Sequence, residues 1–391
     1  MVSSLRIVVS GYIAQYPLGG VAWDYLQYAV GLARLGHDVY YIEDTGVWPY
    51  NPAEGGVSSS RSVVPDYNVR YLATVMERFG LGERWAYRFA GRTDWIGLSN
   101  SRVAELVASA DLIVDVSFSL GAPRNYRGHG RLVGVDTDPV FTQIKLVRGQ
   151  NDFRRIVEAH DVLFSYGECL PGAIPSSGHH WRPLRKPILL SEWKPEEPPR
   201  DVFTTVMNWT SMNPLCHGGV SYGQKDDEFQ HFMNLPERVA PTIIEIAMGP
   251  GKTRKPPMEL LRRKGWQVVN AEAVCADLES FRHYVCTSLG EWTVAKNGYV
   301  RGQVGWFSGR SACYLAAGRP VVVQDTGFRG ILPVGEGILA FKTVEEAAEG
   351  LRAVRDSYDK HSAAARHIAE EYFDSKKVLS RLVDAAMSAG S

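Results

Sequence analysis

Short β-branched apolar runs alternate with helix-patterned runs along almost the whole chain, and this alternation restricts the fold more than any other feature. Residues 5–10 (LRIVVS) read as a strand buried in the core. A loop punctuated by Gly11, Gly19 and Gly20 follows. In the next run, VAWDYLQYAVGLARLG, residues Tyr25, Leu26, Ala29, Leu32 and Ala33 recur at helical spacing. Gly36 closes that helix, and HDVYYIE reads as a second strand. Two strands joined through a helix run parallel, because only a long crossover can bring the chain back in the same direction. The pattern continues with SRVAELVASA as helix, DLIVDVS as strand, RLVGVD as a strand ending at Asp136, FRRIVEAH as helix and DVLFSYG as strand. A doubly wound α/β sheet is the expected outcome.

Residues 191–201 (SEWKPEEPPRD) form a stiff, polar, proline-rich connection, and the pattern restarts beyond it. VFTTVMNW, PTIIEIAMG, WQVVNA, EWTVA and PVVVQD read as strands, with PPMELLRRKG and ADLESFRHYV as helices between them. The stretch TVEEAAEGLRAVRDSYDKHSAAARHIAEEYF reads as two helices. A chain of 391 residues is long enough for two such α/β domains. The boundaries expected are 1–195 for the first domain and 196–369 for the second. Residues 47–100, with Trp48, Tyr50, Tyr67, Trp85, Tyr87, Phe89 and Trp95, read as an aromatic insertion in the first domain. It is suited to part core and part acceptor pocket.

Composition narrows the function class. Lys and Arg number 43 and Asp and Glu 43, so the net charge is zero and no like-charge block stands out. That argues against a nucleic-acid or anionic-membrane binder. The five cysteines (Cys169, Cys216, Cys275, Cys286 and Cys313) form no CxxC pair, which points to a reducing compartment. No Cys/His group has zinc-ligand spacing, the adjacent His179 and His180 included. The first strand does not resemble a signal peptide, and no run approaches the ~18 apolar residues of a membrane span. A cytoplasmic protein without a transmembrane segment is expected; its oligomeric state is not legible.

Residues 303–320 (QVGWFSGRSACYLAAGRP) pose the chemical question. A helix begins with Ser308, Gly309, Arg310 and Ser311, although arginine is unfavourable at the positive end of a helix dipole. An anion at that spot would reverse the preference, with the amides of residues 309–311 and the hydroxyls of Ser308 and Ser311 facing it. Alternatively, Ser308 is a plain N-cap and Arg310 is solvated. Gln324, Asp325 and Thr326 follow the VVV strand at its carboxyl end, where ligands bind in open α/β sheets, or else form an Asx turn. Lys225 lies in the shaped loop GGVSYGQKDDEF, as a ligand cation or as a surface lysine beside Asp226 and Asp227. Lys296 reads as a cleft residue or an exposed charge. Asp24, Asp136 and Asp138 are candidate acids at the cleft, with helix capping or turn formation as the alternatives.

The segment GRSACYLAAGRPVVVQDTG, with its Gly318-Arg319-Pro320 turn, is similar to the donor-binding region of GT-B glycosyltransferases. The N-terminal strand, Gly19-Gly20 loop, helix and LGHDVYYIE also match. The resemblance implies two Rossmann-like domains facing each other across a cleft, and a C-terminal helix (370–391) returning to the first. It implies hexosyl transfer from a nucleoside-diphosphate sugar to a hydroxyl or amine acceptor, with no metal required. The diphosphate would lie at the helix start with Lys225, Ser308, Gly309, Arg310 and Ser311, and Gln324, Asp325 and Thr326 would meet the sugar hydroxyls of the donor. Gly19, Gly20 and Trp23 would meet the acceptor, with Asp24, Asp136 or Asp138 as base, and residues 266–270 would end near the nucleotide base. One departure stands out. A retaining branch of the family carries two glutamates where this chain has Gly305 and Cys313. A sugar-nucleotide epimerase, or a non-catalytic nucleotide-sugar-binding protein, on the same fold is therefore the alternative.

Overall fold

The computed structural model describes residues 4–52, 56–57, 66–196 and 199–388. Parts of the aromatic stretch, residues 197–198 of the connection and residues 389–391 of the expected C-terminal helix lie outside the described residues. Among the described residues, fourteen strands make two large sheets. The first holds β1 (Arg6–Ser10), β2 (Asp38–Glu43), β3 (Trp85–Tyr87), β4 (Ile96–Gly97), β5 (Leu112–Val116), β6 (Arg131–Asp136), β7 (Val162–Ser165) and β8 (Trp181–Pro183), in the order β8-β7-β6-β5-β1-β2-β3-β4. Only the β3–β4 pair is antiparallel. The second holds β9 (Val202–Asn208), β10 (Ile243–Gly249), β11 (Gln267–Asn270), β12 (Gly290–Thr293), β13 (Val321–Gln324) and β14 (Ile338–Phe341), in the order β11-β10-β9-β12-β13-β14, all parallel.

The helices that matter for the site are α1 (Gly19–Arg34), α2 (Pro139–Val147), α3 (Lys225–Phe229), α4 (Leu278–Cys286), α5 (Asn297–Gly302), α6 (Gly309–Ala316), α7 (Val344–Asp356), α8 (Tyr358–Tyr372) and α9 (Ser375–Ser388). Central strands are buried on both faces, which is why their sequences are continuously apolar. Ile7, Val8 and Val9 of β1 are fully enclosed, as are Val321 and Val322 of β13. The aromatic stretch is not wholly an insertion: Trp85 and Tyr87 belong to β3, which extends the first sheet beside β2. Valines 268 and 269, expected in the core, are only half-buried, because β11 is an edge strand.

The two domains are packed tightly together. Gly19 and Gly20 open α1 instead of forming a loop, and they abut the second domain. The Gly19 amide donates to the Cys275 carbonyl at 2.7 Å. A Cβ on Gly19 would fall 1.9 Å from the Asp277 carbonyl oxygen, and one on Gly20 3.1 Å from the Phe281 ring. Trp23, one turn on, is buried and donates from Nε1 to the Leu278 carbonyl at 3.0 Å. It packs on Trp193 of the connection, which meets Phe281 edge-on. A second seam joins α2 to α5, where Phe141 and Tyr299 meet edge-on at 5.8 Å. After α8 the chain pairs Asp374 with Ile188, and α9 packs on α1, where Leu379 lies over Gly31.

The seam at Gly19 yields a direct test. Gly19→Ala forces a methyl group into backbone carbonyl, so α1 and α4 must separate. We expect a loss of about 1–3 kcal/mol of stability, typical of overpacking, and faster amide exchange at residues 278–286. Exchange rates equal to the parent's would show that this contact does not hold the domains together.

Candidate functional site

A small pocket, with about 20 Å³ of space open to water, lies where β12, β13 and the start of α6 converge. The carboxyl ends of parallel strands and a helix N-terminus meet there, as open α/β sheets dictate. Gly309, Arg310 and Ser311 begin α6, and the first bond into the helix runs from Ala312 to the Ser308 carbonyl. Among the described residues, the amides of Gly309, Arg310 and Ser311 meet no protein acceptor. Ser308 has extended backbone at the N-cap position but makes no capping bond, so the simple cap reading does not describe it. Ser311 Oγ is buried without a partner. Free helix amides, with Arg310 and the orphaned Ser311 lining one pocket, suit an anion.

Two cations adjoin this point. Lys225 begins α3 and lines the pocket. Protein atoms crowd its ammonium, and that burial, reinforced by the charge of Arg310, pulls it well below the usual lysine range; Glu291 only partly offsets this. Arg310 also lines the pocket but is anchored within the second domain. Its Nε donates to Glu291 Oε1 at 2.6 Å, Nη1 to the Val206 carbonyl at 2.6 Å and Nη2 to Thr293 Oγ1 at 3.1 Å. It is therefore neither solvated nor wholly at a ligand's disposal. Glu291 is fully buried, and its second oxygen has no partner. Nothing in the run GEWT signals that role, because a lone glutamate in a strand pattern reads as an outward-facing residue.

The other candidates divide. Gln324 lines the pocket, but its amide is spent on the Ala295 amide at 3.0 Å and Glu228 at 2.5 Å. Thr326 lines it too, with its hydroxyl donated to the Trp306 carbonyl. Asp325 does not line it. It accepts from the Gly327 amide at 3.0 Å, an Asx turn, and pairs with Arg329 at 3.2 Å. Asp136, expected at the rim, is instead buried, accepting from Thr142, Ser165 and the Asp138 amide. Asp138 is a domain clamp: Lys296 Nζ reaches it at 3.0 Å, and the Tyr299 hydroxyl donates to it. That also places Lys296. Gly19, Gly20 and Trp23, expected at the acceptor, are filled against the second domain as described above, because tight closure there needs small residues and a flat ring. Trp266 is core, donating to the Met233 carbonyl, and Asn270 caps the following helix.

Asp24 remains at the cleft. Its carboxylate is 55% exposed and pairs with Lys186 Nζ at 2.7 Å. Lys186 carried no sequence signal, since the run RKPILL has no motif. The departure at Gly305 and Cys313 has a steric basis. Gly305 has a φ of +75°, and a Cβ there would lie 2.8 Å from Cys169 Sγ. Cys313 is buried within α6. Neither position has room for a glutamate facing a ligand.

No family profile matches this sequence, and no curated protein matches it. Solved structures do. HepE from Anabaena in complex with UDP-glucose aligns with a TM-score of 0.63 at 10% identity, over 98% of this chain and 100% of that one. Sucrose-phosphate synthase from Thermosynechococcus elongatus aligns with a TM-score of 0.54 at 11% identity, over 97% of this chain and 100% of that one. The chain has the GT-B fold, with two Rossmann-like domains.

Two outcomes are expected of the site's buried charges. Arg310→Ala leaves Glu291 enclosed and unpaired, so it should cost about 3–5 kcal/mol of stability; chemical denaturation would read this, and a loss below about 1 kcal/mol would refute the buried-pair description. Asp136 gives a pH signature. Burial pushes its carboxyl from 3.8 to about 7, with the bond from Thr142 only partly opposing. A folded-state value above the unfolded one means stability that is complete in acid and lost as pH rises through 7. The melting temperature should therefore fall between about pH 4 and 7, and less so in Asp136→Asn. Equal slopes would count against it.

Proposed function

We propose that this chain transfers a hexosyl group from a nucleoside-diphosphate sugar to a hydroxyl or amine acceptor, with the diphosphate at the N-terminus of α6. The observation that carries this reading is a helix start with unpaired amides whose residues Arg310 and Ser311 line one pocket with Lys225, the Ser311 hydroxyl being orphaned. As the glycosidic bond breaks, charge accumulates on the departing diphosphate. Groups already pointing at that position stabilise it most. Arg310, fixed by Glu291, adds positive potential without having to reorganise. The protein supplies this charge itself, so the reaction runs without a divalent metal. HepE is described in complex with UDP-glucose, which favours a uridine nucleotide here as well. Asp24, at the cleft, would orient or deprotonate the acceptor. A cytoplasmic location accords with the five free cysteines, and among the described residues no helix is long and apolar enough to cross a membrane.

The test is calorimetry with UDP. Binding to the parent should be weakened about tenfold to a hundredfold by Lys225→Ala, the worth of one charge-assisted contact. An anion beside Lys225 raises the depressed ammonium toward its usual range, so binding takes up protons and tightens as pH falls through that interval. The measured heat should then vary with the ionisation enthalpy of the buffer. Nucleotide release from UDP-glucose only when an acceptor is present would mark transfer, whereas an altered sugar still attached to nucleotide would mark an epimerase. If UDP binds neither the parent nor Lys225→Ala, the donor site is not at α6.

A further inference from the structure

Lys186 lies beyond β8, in the approach to the connection, and only 3% of its side chain is exposed. A buried ammonium requires compensation. Among the described residues, Asp24 is the one carboxylate that supplies it. Nζ lies 2.7 Å from Asp24 Oδ1 and also donates to the Asp24 main-chain carbonyl at 2.5 Å. The Tyr28 ring flanks the ammonium at 5.7 Å. Both partners belong to the first domain, yet the pair rests against the first turn of α6 in the second. A Cβ on Gly309 would meet the Lys186 Cγ and Cδ at 3.3 Å and Asp24 Oδ1 at 3.4 Å. Glycine at that position leaves the ion pair room, since a Cβ there would press on the Lys186 stem. The approach brings a carboxylate to the end of a helix whose first amides and Ser311 hydroxyl have no protein partner.

A helix N-terminus favours a negative charge, and here the opposite domain provides one. The two members of the pair differ in freedom. Asp24 is 55% exposed and can swing into solvent, whereas Lys186 is enclosed and cannot leave. Resting on the donor-site reading above, we propose that Asp24 is a stand-in anion for the diphosphate, and that Lys186 exchanges Asp24 for the diphosphate on binding. In the free protein Asp24 neutralises Lys186 and lies beside α6. An arriving diphosphate brings more negative charge to the same turn, takes over the ammonium and repels the carboxylate. Lys186 thereby becomes a donor-binding residue contributed by the first domain. Asp24 is released from its ion pair only when donor is present.

The exchange is tested by calorimetric titration of the full chain with UDP and, separately, with inorganic pyrophosphate. Asp24→Asn removes the competing charge and frees the ammonium, while its amide oxygen can still accept from Lys186. It should bind both probes about tenfold more tightly than the parent. Lys186→Met should bind both about tenfold more weakly, and Lys186→Arg should stay within about threefold of the parent. Asp24→Asn binding no more tightly than the parent overturns the exchange, and that result decides the matter even if Lys186→Met does not fold. If Lys225→Ala loses UDP while the Asp24 and Lys186 variants match the parent, the donor site stands and the exchange falls. If the parent binds neither probe, both fall together.

Discussion

The placement of α6 governs the rest of the molecule. It is an eight-residue helix, almost entirely buried from Ser311 onward, and a buried helix must satisfy the unpaired groups at both ends. At its carboxyl end Arg366 of α8 donates to the Ala316 carbonyl at 2.6 Å, and the same Nη1 reaches the Trp193 carbonyl at 3.1 Å. A cation there also complements the dipole. Arg319, in the turn after α6, is buried and donates to the Cys286 carbonyl, the Glu196 carbonyl and the Tyr358 hydroxyl. One end of α6 is thus saturated by protein and tied to the connection between the domains. The other end is left with free amides facing the cleft. Fixing one terminus so firmly allows the other to remain polar and unpaired without loss of position.

Closure of the domains follows from small residues at a few points. Gly19 admits the Asp277 carbonyl, Gly309 admits Lys186 and Asp24, and Gly305 admits Cys169. Around these contacts, Trp23, Trp193 and Phe281 supply apolar area, and Asp138 with Lys296 adds a partly exposed ion pair. Such a pair contributes modestly to stability, about 0–1 kcal/mol, so its value lies in fixing register. The aromatic seam supplies the driving force. The C-terminal helix α9 belongs to the same scheme, because it packs on α1.

The periodicity of the sequence made the two sheets legible, because strands buried on both faces have to be apolar throughout. The helix start at Ser308–Ser311 was legible as well, because an arginine and a glycine there conflict with ordinary helix preference. What could not be read were the partners. Asp136 ends β6 and Asp138 lies two residues on, yet one is enclosed by Thr142 and Ser165 while the other reaches across to Lys296. Two positions separate them, and only the turn into α2 decides which side each faces. Glu291 and Lys186 lay in runs with no distinguishing pattern.

By itself the sequence determined that the chain would form parallel α/β layers in two halves, and that one helix would begin with groups suited to an anion. Those are local consequences of backbone hydrogen bonding and burial, so periodicity and punctuation encode them. The tertiary structure alone decided which charges are spent within the protein and which are left for a ligand. Arg310 is bound to Glu291, Asp24 to Lys186, and Lys225 is crowded beside an orphaned hydroxyl. Asp24 and Lys186 stand 162 positions apart in the chain. Coulomb and hydrogen-bond energies depend on separation in space, and separation in space is set only when the domains close.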